Sequence, residues 1–145
     1  MRLSASGHVE APPDDLWALL AEPHHLSDWW PGYAAVRPDR RGVTEGARWG
    51  IVRAGAPGLL RRPGGDGLVV ITLVEPGRVL AWRDLQQDFV GEARIEAVAD
   101  GSAVEIALAA AWWRIPLEGL RPLPRQALGR LRALCQTSAA IAAEV

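Results

Sequence analysis

The chain lacks lysine: all 16 of its basic residues are arginine. No Schiff-base lysine is therefore available for covalent catalysis. Cysteine occurs once, at Cys135, which excludes an internal disulfide and suits a reducing compartment. Net charge is only −1, so no electrostatic footprint for nucleic acid or an acidic membrane is present. No apolar run reaches the ~18 residues of a membrane-spanning helix, and no basic, apolar leader opens the chain. The expectation is a cytoplasmic protein with no nucleic-acid partner and no stable membrane insertion. Phenylalanine and tyrosine occur once each, against 7 tryptophans, so tryptophan supplies almost all the aromatic surface.

Catalytic signatures are also missing. There is no G-x-S-x-G elbow, no Walker-type loop and no Cys-x-x-Cys. His24 and His25 are neighbours whose side chains diverge on a helix, and His8-x-Glu10 is a weak metal signal. No metal site and no cofactor are expected. Gly64-Gly65-Asp66-Gly67 has no βαβ context and reads as a turn.

What is present fits one domain over residues 1–145, with 49% hydrophobic residues to build a core. Arg2–Glu10 reads as a first strand. Leu16, Leu19 and Leu20 recur at helical spacing behind Pro12, Pro13, Asp14 and Asp15, which suit a helix start. A second short helix is expected over His24–Trp30. Strands follow at Ala34–Pro38, Arg48–Arg53, Leu68–Glu75, Val79–Gln86, Phe89–Val98 and Ala103–Trp113. Pro76-Gly77, Gln87-Asp88 and Asp100-Gly101 are the turns. The glycine- and proline-rich stretch Ala54–Gly67 reads as a long loop, either a mobile lid, as Leu59-Leu60 suggest, or an ordinary disordered hairpin with two stray leucines. Leu128, Leu131, Leu134, Cys135, Ser138, Ile141 and Ala142 share one face of a long helix over Pro122–Glu144. Its interior Gly129 reads as a close approach to the sheet or as mere tolerance. This order predicts an α+β helix-grip fold: a seven-stranded curved antiparallel sheet around a long C-terminal helix, with two short helices after strand 1.

Ala11-Pro12, Leu16-Trp17 and Leu26-Ser27-Asp28-Trp29-Trp30-Pro31 resemble the opening block of the START-like superfamily. That superfamily, also called SRPBCC, includes Bet v 1 and bacterial polyketide cyclase/dehydrase-like proteins. The resemblance implies the same helix-grip fold and a cavity between sheet and long helix.

Strand alternation supplies the candidate site. Val104, Ile106, Leu108, Ala110 and Trp112 should face inward on strand seven, with Gly91, Ala93, Ile95 and Ala97 beside them. Trp49 and Ile51, and Leu80 and Trp82, are the inward pairs of strands three and five. Asp84, in phase with Trp82, is the one carboxylate candidate; a solvated strand end is its alternative. Tyr33 reads as lining the entrance or as a half-buried ring. Arg48 and Arg83 read as surface charges. Trp30 and Trp113 are expected near the rim.

The expected ligand-binding set is Trp49, Trp82, Trp112, Leu108, Ala93, Leu134, Tyr33 and Asp84, with no catalytic residue assigned. It suits a flat, small hydrophobic molecule with one or two oxygens; a solid tryptophan core is the alternative. The resemblance also implies a second function, a polyketide aromatase/cyclase or dehydratase acting in the same cavity. A third is an interaction role for the bland outer face around Ala107, Ala109 and Ala111. A homodimer is compatible with all of these.

Overall fold

The computed structural model describes residues 1–53 and 66–143, with side-chain environments for residues 1–53 and 67–137. Seven strands, β1 (Arg2–Val9), β2 (Tyr33–Arg37), β3 (Arg48–Arg53), β4 (Asp66–Glu75), β5 (Val79–Asp84), β6 (Phe89–Val98) and β7 (Gly101–Ala110), form one sheet. Their spatial order is β1-β7-β6-β5-β4-β3-β2, and every pairing is antiparallel. The helices are α1 (Pro13–Ala21), α2 (Leu26–Trp29), α3 (Arg114–Leu117) and α4 (Leu123–Ala143), with a 3₁₀ turn at Pro23–His25. α4 packs on β1, β7 and α2, so the helix lies across the inner face of the sheet. The helix-grip arrangement is therefore present.

Local chemistry explains the elements. α1 starts at Pro13, where a missing N–H leaves nothing unpaired, and Asp14 and Asp15 sit at its positive end. Pro76-Gly77 makes a type II turn: Arg78 N–H donates to Glu75 O at 2.9 Å, and Gly77 takes φ 77°. Val69 and Ile71 of β4 face the core, and the register slips between Ile71 and Leu73. Leu128 and Leu131 of α4 are buried, and Leu134 is half-buried against the same core.

Several expectations need correction. β7 ends at Ala110, so Trp112 is not an inward residue of that strand; it is 73% exposed. Trp30 is fully buried rather than at the rim, because it follows α2 with extended backbone (φ −92°, ψ 115°) and leaves the helical phase. A Cβ on Gly129 would meet nothing within 4 Å, so no close approach to the sheet requires that glycine. Ala97 is exposed, and Ala107 is buried although it lies on the outer face. The expected lid lies outside the described residues, apart from Asp66 and Gly67, which open β4.

Candidate functional site

The core concentrates its aromatic rings at one place. Trp29 ends α2, Trp30 and Tyr33 flank the Pro31-Gly32 turn, Trp82 comes from β5 and Phe89 opens β6; all five are buried. Trp82 meets Trp29 edge-on at 5.6 Å between ring centroids and Trp30 at 5.1 Å. Trp30 stacks on Phe89 at 5.7 Å and 26°. These are the favourable offset and T-shaped geometries of quadrupolar rings.

Gly91 makes room for this cluster. A Cβ there would lie within 3.0 Å of three atoms of the Trp82 indole, so the inward space left by that glycine holds the Trp82 ring. Ala93, two residues along β6, and Leu108 on β7 are buried, with Leu108 opposite Gly91 in the register.

A polar group adjoins the rings. Tyr33 donates its hydroxyl proton to Asp84 Oδ2 at 2.8 Å and accepts from Trp82 Nε1 at 3.3 Å. Arg53 Nη2 donates to Asp84 Oδ1 at 2.7 Å, and its other nitrogens reach Gln86 Oε1 and Gln87 Oε1. The backbone N–H groups of Gln86 and Gln87 also donate to Asp84 Oδ1, so the carboxylate closes the β5–β6 turn. Asp84 is fully buried, and the Arg53 side chain is 15% exposed. Asp84 is therefore an interior ion-pair member and not a solvated strand end. Arg48 and Arg83 are exposed, as expected of surface charges.

Burial pushes the Tyr33 hydroxyl well above its ordinary value, and the Asp84 charge and hydrogen bond push in the same direction. A folded-state pKa above the unfolded value of ~10 means that Tyr33 favours the fold below about pH 10. That contribution is lost as pH rises from there towards the folded value. Tyr33 is the only tyrosine, so an alkaline ultraviolet titration reports it alone. Tyrosinate absorbance is expected to appear only together with loss of the folded circular dichroism signal. A tyrosinate signal near pH 10 in folded protein would contradict the buried pair.

Two donors of this cluster remain without a partner. The indole N–H groups of Trp29 and Trp30 are buried and make no hydrogen bond among the described residues. Trp49, by contrast, donates to Gly42 O at 2.8 Å, so its polar edge is satisfied away from the cluster. The structure thus brings together Tyr33, Trp82 and Asp84 from the expected set and adds Arg53, Trp29, Trp30 and Phe89. It leaves Trp112 in solvent. Among the described residues, no group of three or more His, Cys, Asp or Glu is placed to hold a metal ion. No helix among them is long and apolar enough to cross a membrane.

Open grooves lie elsewhere. One of about 870 Å³ runs past Pro13, Arg78, Ile95 and Val104, and one of about 810 Å³ separates β1 from the start of α4. Neither is lined by a residue of the aromatic cluster.

The architecture is shared with solved structures of low identity. A protein of Nitrosomonas europaea matches at 15% identity and TM-score 0.74, covering 97% of each chain. An AHSA1-like protein of Aeromonas hydrophila matches at 16% identity and TM-score 0.72, over 96% of this chain and 94% of that one. A protein of Chromobacterium violaceum matches at 17% identity and TM-score 0.70, over 92% and 96%. No curated protein matches the sequence. The family model described as polyketide cyclase / dehydrase and lipid transport matches residues 1–136. With a helix-grip sheet, a long terminal helix and that match over nearly its whole length, the chain belongs to the polyketide cyclase/dehydrase and lipid transport family of the SRPBCC superfamily.

Proposed function

We propose that the protein binds a small, flat hydrophobic molecule carrying one or two oxygens, between the sheet and α4. The observation that supports this reading is the pair of partnerless indole N–H groups of Trp29 and Trp30. Each buried, unmade hydrogen bond costs about 1–3 kcal/mol. A ligand oxygen seated against either N–H would recover that cost, while the rings of Trp82 and Phe89 and the side chains of Leu108 and Leu134 would meet an apolar body. The family, whose description includes lipid transport, favours the same class of ligand. Because the rings already touch, binding requires the cluster to part.

The test is a titration with anthraquinone, a planar molecule with two carbonyl oxygens, read by intrinsic tryptophan emission. Trp112 and Trp113 are exposed and are first replaced by Phe, so that the signal comes from the buried rings and the half-buried Trp17. Emission should change saturably. Trp30→Phe keeps a ring and removes the N–H, and is expected to weaken binding about tenfold, the equivalent of one hydrogen bond. Trp29→Phe is the matching test of the other N–H, and unchanged emission, or unchanged affinity in both variants, would overturn the reading.

A second reading, a cyclase or dehydratase acting at the same place, draws on the buried Tyr33–Asp84 hydrogen bond. Proton transfer to a bound polyketide-like chain needs such a group within hydrogen-bond reach. Tyr33→Phe would then abolish turnover of a polyketide-like thioester while leaving anthraquinone binding in place.

A further inference from the structure

β1 is an outer strand of the sheet, paired with β7 through eight residues in unbroken register. Met1 and Ala110 exchange hydrogen bonds at 2.8 and 3.0 Å, which sets the phase of the ladder. Alternation then turns the N–H and C=O groups of Ser4, Ser6 and His8 away from β7. Arg132 Nε donating to His8 O at 3.2 Å agrees with that phase. The backbone groups of Ser4 and Ser6 have no such partner among the described residues. Edge strands are commonly blunted by proline, a bulge or a covering element. β1 has neither proline nor bulge along Leu3–Gly7.

The open edge faces the groove of about 810 Å³ between β1 and the start of α4. Arg121, Arg125 and Arg132 line it from one side and Leu3, Ala5 and Leu128 give it an apolar floor; among the described residues no acidic one lines it. None of the three arginines makes an ion pair among the described residues. Gly7 is part of the same design. A Cβ there would lie 3.2 Å from Leu128 Cδ2 and would run into the Arg132 guanidinium.

We propose that this groove receives an extended acidic segment of a partner protein, which adds to the sheet beside β1. Main-chain bonds to Ser4 and Ser6 would supply affinity, and carboxylates on the side facing α4 would pair with the arginines. Charge decides the occupant. Two copies of this chain joined through β1 would bring two arginine-lined grooves together, and like charges oppose that contact.

The test uses the whole chain and a labelled, blocked peptide of alternating Glu and Thr, about ten residues long, with a Lys-Thr peptide as control. Anisotropy should show binding of the acidic peptide only, weakening as salt rises and screens the arginines. Arg121→Glu with Arg125→Glu, both exposed positions, should weaken it about tenfold or more. Ser4→Pro removes an outward N–H without touching the β7 ladder and should weaken it similarly. Bound peptide should slow hydrogen exchange at Ser4 and Ser6. Loss of binding in the arginine variant with full binding in Ser4→Pro would reduce the effect to unspecific charge attraction and overturn strand addition. Binding to anionic vesicles with none to the peptide, or a dimer that protects Ser4 and Ser6 without peptide, would also overturn it.

Discussion

Replacing Asp84 by Ala is expected to destabilise the protein by about 3–5 kcal/mol, the usual cost of removing one partner of a buried ion pair. The carboxylate serves four donors: the Tyr33 hydroxyl, Arg53 and the backbone N–H groups of Gln86 and Gln87. Alanine leaves Arg53 largely buried without its anion and Tyr33 without an acceptor, and it frees the β5–β6 turn. Asp84→Asn tests the account from within. One amide oxygen can still accept on the Oδ1 side, but the amide NH₂ would face the Tyr33 hydroxyl. Tyr33 already accepts from Trp82, so its own O–H would lose its acceptor. That variant should lose about 1–3 kcal/mol. Urea unfolding checks both values, with the m-value monitored for changes in compactness. An alanine variant within about 0.5 kcal/mol of the parent would show that the network contributes nothing net.

Asp84 also shows what could be read from the residues. The alternation Leu80, Trp82, Asp84 places the carboxylate inward, and the structure buries it there. The same alternation also carries a signal for its cation. Trp49, Ile51 and Arg53 share a phase on β3, so Arg53 ends an inward set just as Asp84 does. An interior carboxylate needs a partner charge, and the neighbouring inward sets held one candidate. What the chain order does not reveal is that β3, β4 and β5 lie side by side, and that the register sets Asp84 level with Trp49, so that Arg53 reaches the carboxylate diagonally, past Gly67.

Two tryptophans mark where periodicity loses its physical basis. β3 and β6 have the expected bounds, Arg48–Arg53 and Phe89–Val98, because turn residues or charge alternation delimit them. For β7 the alternation Val104, Ile106, Leu108 holds. It does not extend to Trp112, because Ala110 is already opposite Phe89, the first residue of β6, and bonded to Met1. With no strand left to pair with, the pleat ends and its period predicts nothing. Trp30 fails for the converse reason. α2 is one turn long, so its helical phase cannot place the residue after it, and both adjacent indoles turn inward.

The interior tryptophans lead to the other large effect. Trp82→Ala is expected to cost about 3–5 kcal/mol, the range for emptying a buried aromatic site. Its ring is fully buried, touches Trp29 and Trp30, and donates to Tyr33. Gly91→Ala attacks the same contact from the other side. Its new methyl group would overlap the Trp82 indole, whose edges are hemmed by two further indoles that cannot yield freely. Overpacking of this kind costs about 1–3 kcal/mol. The two substitutions should not add. In the Trp82→Ala background the obstructing ring is gone, so the Gly91 methyl enters the vacated space and should cost about nothing or recover part of the loss. Denaturation midpoints of the two single variants and the double variant measure this coupling. Simple additivity would show that Gly91 is glycine for some reason other than the Trp82 ring, and that the sheet and the aromatic cluster are less tightly interlocked than their geometry indicates.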